Sequence, residues 1–347
     1  MNSFTSRLSL SVPIVLAPMG GAVGPELAAA VTNAGGLGMI PLWWMTPDEV
    51  KDQIRAVRSL TSGPFGVNLN LRFPQEDRLT ACIDEGVTLI SFFWGLSTPM
   101  IERAKSAGMF VLQTVGSAAE ARRAVAAGAD SVVAQGWEAG GHVWGTVATI
   151  ALVPAVVDAV GEVPVIAAGG IADGRGLAAV LALGASAAWI GTRFLASTEA
   201  TVNPRYRELL FAAHESDTYF GSDVFDLGWE NAPHRALRNK TVIAWEEAGR
   251  PAPGSRPGEG EVIARSPGGD ILRYSFFSPG REVEGDLDAL ALWSGQGVAL
   301  VSREQPASDI VVEIWNEARA TMRSLSGLRG ELGNARRGSR NDTRKAR

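Results

Sequence analysis

Cysteine is nearly absent from this chain of 347 residues, histidine occurs three times, and no apolar run is long enough to span a membrane. Cys82 is the single cysteine, so no internal disulfide can form and nothing asks for an oxidising compartment. The most apolar stretch, 177–190, falls short of the roughly 20 residues that cross a bilayer, and Gly184 and Ser186 interrupt it. Residues 1–11 carry one arginine and no apolar core of signal-peptide length. A cytoplasmic protein with no membrane partner is therefore expected. An excess of positive charge is also lacking: the net charge of −5 excludes a broad basic face, and with it nucleic acid as a partner of the main body. The exception is the C-terminus, where Arg336, Arg337, Arg340, Arg344, Lys345 and Arg347 face one acid, Asp342. Residues 327–347 read as a basic, disordered, solvated tail, with an RNA or membrane contact as the other possibility.

What the chain does have is a hydrophobic fraction of 46% against 20% charged residues, the balance of an ordinary soluble globular protein. Five times a helical run ends in glycine and passes straight into an apolar segment, at Gly35, Gly86, Gly108, Gly128 and Gly184. Glycine just past a helix takes the left-handed backbone conformation that ends it cheaply, and short continuous apolar runs mark parallel strands buried on both faces. Thr46-Pro-Asp-Glu49 and Ser117-Ala-Ala-Glu120 fit the capping box at helix starts, and Pro25, Pro47 and Pro99 sit where a first helical turn accepts proline. Strands are predicted at about 13–17, 36–40, 65–70, 87–92, 109–114, 130–135, 163–168 and 187–191. Eight strands separated by helices suit an α/β TIM barrel better than a doubly wound open sheet, which shares the same local signals.

The pattern stops after Phe194. Residues 198–230 read as helical, 251–259 as a Pro- and Gly-rich loop, 263–284 as no definite element, and 309–325 as a helix. The expected arrangement is a barrel over 1–199, a smaller α-rich cap domain over 200–300 inserted near the C-terminus, and a return helix over 301–326 packing on the barrel.

Barrel active sites are built at the C-terminal ends of the strands. Here those ends carry Ala17-Pro18-Met19-Gly20, Asn68-Leu69-Asn70, Phe93-Trp94-Gly95, Gln113-Thr114, Gln135 to His142, Ala168-Gly169-Gly170 and Gly191-Thr192. The glycine turns after the seventh and eighth strands offer free amides and a helix start, which is how barrels hold a phosphate. Past the sixth strand, Gly140 and Gly141 remove the Cβ atoms that would keep a planar ligand off the backbone, and His142 beside them is suited to proton exchange near neutral pH. No metal-ligand spacing surrounds His142. Glu138, four positions earlier, either orients its ring or is simply solvated. His214 and His234 lie outside the predicted mouth and read as structural. Trp43-Trp44 and Phe93-Trp94 either wall the mouth or serve ordinary packing.

From about Pro13 to Phe194 the chain resembles the nitronate monooxygenase family, FMN-dependent TIM-barrel enzymes once called 2-nitropropane dioxygenases. The resemblance is carried by Ala17-Pro-Met-Gly20, Asn68, Gln135-Gly-Trp-Glu-Ala-Gly-Gly-His142, Ala168-Gly-Gly-Ile-Ala-Asp-Gly-Arg175 and Gly191-Thr-Arg-Phe194, with a fainter echo at Gly295-Gln-Gly297. It implies FMN as cofactor, bordered by Ala17, Pro18, Met19, Asn68 and Ala168, with polar contacts from Gln113 and Gln135. It also implies Gly140 and Gly141 near the isoalloxazine, the phosphate on Gly169, Gly170, Gly191 and Thr192, and His142 as the catalytic residue. His142 would take the α-proton of a nitroalkane or hold an already anionic nitronate. Alkyl nitronates and O2 would be the reactants, and a carbonyl compound and nitrite the products. Some relatives carry lysine where this chain has Gln113, which removes a possible positive charge near the flavin. An FMN-dependent enoyl-ACP reductase drawing electrons from NAD(P)H is the nearest alternative, and a flavin- or phosphate-binding barrel without turnover is a further one. The oligomeric state, monomer or homodimer, stays open.

Overall fold

The computed structural model describes residues 3–342, with side chains described for 4–326. Eight strands form one all-parallel sheet: β1 (Ile14–Leu16), β2 (Gly38–Pro41), β3 (Phe65–Asn70), β4 (Leu89–Phe93), β5 (Phe110–Val115), β6 (Ser131–Gln135), β7 (Val165–Ala168) and β8 (Ala187–Ile190). Neighbours in sequence are neighbours in the sheet, and β8 returns to pair with β1. A parallel bridge between Val15 and Leu37 closes the circle, carried by Leu16 N–H to the Leu37 carbonyl and Leu37 N–H to the Ile14 carbonyl, both 2.9 Å. The TIM barrel expected from the strand count is the fold.

Alternation along each strand sends residues to one of two layers. Val15, Leu37, Met39, Leu112, Val133 and Ile166 fill the barrel's interior. The short helix Ser3–Arg7 contributes Phe4 to the same cluster, and its ring meets Phe110 edge-on at 6.2 Å. Ile14, Leu16, Ile40, Val67, Leu69 and Val111 face outward against the surrounding helices.

The local signals account for the helix ends. Gly35, Gly86, Gly108, Gly128 and Gly184 have φ of +91°, +64°, +79°, +102° and +95°, the left-handed region that favours glycine. At Thr46 the capping box is complete, with Glu49 N–H donating to the hydroxyl and Thr46 N–H to the Glu49 carboxylate. At Ser117 only half of it forms, because the Glu120 carboxylate accepts instead from Gly116 N–H at 2.7 Å and from Trp144 Nε1 at 2.9 Å.

Residues 200–300 differ from their sequence reading. Helix within 198–230 narrows to Pro204–Ala212, followed by strand Thr218–Gly221. Val262–Ser266 and Gly269–Leu272 form a hairpin where no element was expected, since their burial does not alternate and supplies no period to read. With helix Lys240–Glu247, strand His234–Leu237 and strand Glu284–Gly285, this part is mixed α/β, with more strand than an α-rich cap has. Its central feature is a ladder to the barrel: Thr218–Gly221 pairs antiparallel with His234–Leu237, which pairs antiparallel with the two-residue strand Gly141–His142 beyond β6.

Helix Ala307–Asp342 lies against helix Gly174–Ala182 so closely that a Cβ on Gly174 would sit 2.3 Å from Ala318 N. The helix continues into the stretch expected as a basic tail, whose last residues, 343–347, lie outside the described residues.

Candidate active site

A cavity of about 530 Å³ opens at the C-terminal ends of the barrel strands and is roofed by residues 229–295. Its volume is within the roughly 300–1,000 Å³ usual for cofactor and ligand sites. Ala17, Pro18 and Met19 after β1, Asn68 on β3, Gln135 on β6, Gly140 to His142, Ala168 to Gly170 after β7, and Gly191 and Thr192 after β8 all line it. Thus thirteen of the fourteen candidate site residues share one cavity.

Gln113 is the exception. Inward positions on β5 share the parity of Leu112, which packs in the barrel interior, whereas Val111 and Val115 belong to the outer layer, and Gln113 shares their parity. It is buried there, donating Nε2 to the carbonyls of Phe92, Gly95 and Thr114, while Thr114 takes the place on the cavity wall. Period-two alternation was the signal that could have found this.

The glycine turns have the chemistry of an anion cradle. Gly169 and Gly170 have φ of +108° and +71°, and a Cβ on Gly169 would lie 2.9 Å from both the Gly136 carbonyl and Thr149 Oγ1. Among the described residues, the N–H groups of Gly169, Gly170, Ile171, Gly191 and Thr192 donate to no backbone or side-chain acceptor. Such amides beside a helix start, with Asp173 capping Gly176 N–H at 3.0 Å, suit a phosphate. The cradle fits a phosphate group on its own geometry.

Around the other half of the cavity the polar groups are partly committed. Gln135 Nε2 donates to the His142 carbonyl at 3.2 Å and its Oε1 accepts from Trp144 N–H at 2.8 Å, which clamps the histidine's backbone. Asn68 Nδ2 donates to Ser91, leaving Oδ1 uncommitted among the described residues. Glu138 neither orients His142 nor is simply solvated; it accepts from Thr149 N–H and Oγ1 at 2.9 Å and caps helix Thr149–Val160. Gly140 is glycine for a reason other than ligand approach, since a Cβ there would sit 2.4 Å from Gly295 N. Gly141, with φ +70° and open space around it, is the position that a ligand could approach.

His142 lies in an aromatic box. Its ring is stacked on Trp229 with centroids 3.8 Å apart and planes at 22°, and meets Trp293 at 5.2 Å, Trp94 at 5.8 Å and Phe276 at 6.2 Å. Trp94 holds the positive φ of +67°, a conformation costing roughly 1–3 kcal/mol, at the point where its ring reaches both His142 and Trp229. Trp43, Trp44 and Phe93 line the cavity as well, so three of the four paired aromatics of the sequence form a wall rather than ordinary core, while Trp94 packs on His142 and Trp229. Burial, followed by the neighbouring His234, pushes the His142 pKa well below 6.5, so the imidazole is neutral at pH 7.

His234, read from the sequence as structural, does not line the cavity but lies directly behind His142. It is fully buried, directly opposite His142 in the ladder, with ring centroids 6.0 Å apart. Nδ1 lies 2.9 Å from the Ala232 carbonyl and Nε2 accepts from Phe225 N–H, which fixes a neutral tautomer with the proton on Nδ1. Only the pairing of strands 92 positions apart brings it there, and no local pattern carries that information.

Comparison with known proteins agrees with this geometry. The nitronate monooxygenase family profile matches residues 2–80 and 73–317. A nitronate monooxygenase of Paraburkholderia phytofirmans is 31% identical over 92% of this chain and 95% of its own length. The (3aS,4S,5R,7aS)-5-hydroxy-7a-methyl-1-oxo-octahydro-1H-indene-4-carboxyl-CoA dehydrogenase of Mycobacterium tuberculosis is 40% identical over 71% of this chain and 68% of its own. Among solved structures, FabK from Thermotoga maritima superposes with a TM-score of 0.78 at 34% identity, covering 94% of this chain and 99% of that one. Nitroalkane oxidase from Streptomyces ansochromogenes does so with 0.76 at 30% identity, covering 93% and 100%. Among the described residues no helix is long and apolar enough to cross a membrane and no side-chain group could hold a metal ion. The chain is an oxidoreductase and belongs to the nitronate monooxygenase family.

Proposed function

We propose that this protein is an FMN-dependent monooxygenase that oxidises alkyl nitronates with O2 to a carbonyl compound and nitrite. The observation that carries the reading is the meeting, in one cavity, of unpaired amides after β7 and β8 with a neutral, buried imidazole beyond β6. Gly169, Gly170, Gly191 and Thr192 would hold the FMN phosphate, and Ala17, Pro18, Met19, Asn68, Gln135, Gly140, Gly141 and Ala168 would border the flavin. FMN, when bound, supplies the electron chemistry, and the protein supplies position and electrostatics.

Within that division His142 has a narrow role. A base works best when its pKa is matched to the working pH, and burial takes His142 well below that match. It is poorly suited to keep a proton taken from carbon and well suited to meet an anion that has already lost one. The preferred substrate is accordingly the nitronate rather than the neutral nitroalkane. The aromatic wall excludes water and provides apolar surface for the substrate's carbon chain.

The 40% identity to a dehydrogenase of a bicyclic carboxyl-CoA favours a second reading, redox chemistry on a bulky CoA thioester, of which an FMN-dependent enoyl-ACP reductase-like enzyme that takes electrons from NAD(P)H would be the reductive form. Anaerobic mixing separates the two. A nitronate should bleach the flavin absorbance within turnover time, and NAD(P)H should not. Bleaching by NAD(P)H but not by nitronate reverses the assignment.

A further inference from the structure

Two buried polar atoms at the cavity have no partner, Nε2 of His142 and Nε1 of Trp229. The indole is 3% exposed, lines the cavity and lies flat on the imidazole, so both atoms belong to adjacent layers of one stack. An indole N–H can only donate, and a buried donor without an acceptor is costly. Phenylalanine would fill the same apolar box without that cost. The loop that brings Trp229 there is tightly fixed. Gly228 has φ +101°, and a Cβ on it would lie 2.4 Å from the Phe276 ring; Trp229 N–H donates to the Asp226 carbonyl at 2.9 Å; and Arg256 ties down Asp226 at 2.5 Å.

Charge narrows what the unpaired donor is for. None of the described residues lining the cavity is Lys, Arg, Asp or Glu. The buried Arg235 nearby is committed to the Trp137 carbonyl and Thr218. An anion here is therefore held by N–H donors and aromatic edges rather than by an ion pair, which suits a planar anion with charge spread over two oxygens.

Resting on the nitronate reading above, we propose that Trp229 is a substrate-binding residue whose Nε1–H donates to one oxygen of the planar anion, with His142 Nε2–H donating to the other. The test uses the flavin-loaded protein and Trp229→Phe, which keeps a ring and removes the donor. Inorganic nitrate, a planar oxyanion without an oxidisable carbon, and neutral 1-nitropropane are titrated against the flavin absorbance. The variant should bind nitrate roughly tenfold or more weakly, as expected for one lost hydrogen bond to a charged group, while its affinity for 1-nitropropane stays within about twofold. The KM for propyl nitronate should rise in step with the nitrate dissociation constant. Equal weakening of both ligands means that Trp229 only packs, and no change in either means that it does not touch them; both results overturn the proposal. A wild-type protein that oxidises the nitronate yet binds no nitrate also overturns it and leaves the monooxygenase reading standing. A wild-type protein that oxidises no nitronate ends that reading, and the nitrate titration still decides the role of Trp229.

Discussion

Two adjacent glycines that look interchangeable in sequence have different physical reasons to be glycine. At Gly140 the constraint is space: the backbone of Ser294 and Gly295 lies where a Cβ would go, 2.6 Å and 2.4 Å away. At Gly141 it is conformation, with φ +70° and no neighbour within reach. Gly140→Ala must push the 294–295 segment off the barrel mouth and is expected to cost about 1–3 kcal/mol, as overpacking does, with a loss of flavin retention. Gly141→Ala should cost about 1–2 kcal/mol from its left-handed backbone and also lower retention, because the added methyl enters the open space proposed for the flavin. Thermal unfolding and flavin content of the two purified variants check this, and full retention in Gly141→Ala would mean that the flavin does not approach that position. That the two glycines mark the site was legible in the sequence. The reason for each was not, because the obstruction at Gly140 comes from a segment more than 150 positions away.

At the scale of elements, what could be read was what is local. The strand bounds, the five glycine stops and the proline helix starts all follow from near neighbours in the chain, and the structure has them within a few residues of where periodicity puts them. The ladder of Thr218–Gly221, His234–Leu237 and Gly141–His142 is the opposite case, short in each strand and long in sequence separation. It buries His234 neutral, and burial holds its pKa down at about 4, against 6.5 when free. The unfolded chain therefore takes up a proton that the folded one refuses over this window. The neutral ladder's stability is fully present above pH 6.5 and is lost as pH falls toward about 4, by roughly 3 kcal/mol for this one group. His142, shifted the same way, adds to the slope. A His234→Gln variant should be less stable at pH 7, yet lose stability less steeply on acidification when melting is followed from neutral to acid pH. An unchanged slope would mean that the histidine is not the source of the acid sensitivity.

For the whole molecule, the barrel supplies most of the site and the 200–300 segment supplies its roof. The barrel contributes the phosphate cradle and His142, and the later segment lays Trp229, Phe276 and Trp293 over them. Trp43 links the two, stacked on Phe73 at 5.2 Å and touching Trp229 and Phe276. A shared apolar wall of this kind favours substrates in proportion to the surface they bury against it. Each added methylene is worth about 0.8 kcal/mol when fully removed from water, or about fourfold in the specificity constant. In a series of straight-chain 1-nitronates, kcat/KM should therefore climb by up to about fourfold per carbon from ethyl upward, until the chain outgrows the part of the roughly 530 Å³ cavity that the flavin leaves free. The climb should appear in KM before kcat, because the wall touches the chain equally in ground and transition states. Trp43→Ala should flatten it while leaving ethyl nitronate almost unaffected. A flat series in the unmodified protein would mean that the substrate's carbon chain points away from the aromatic wall and out of the barrel mouth.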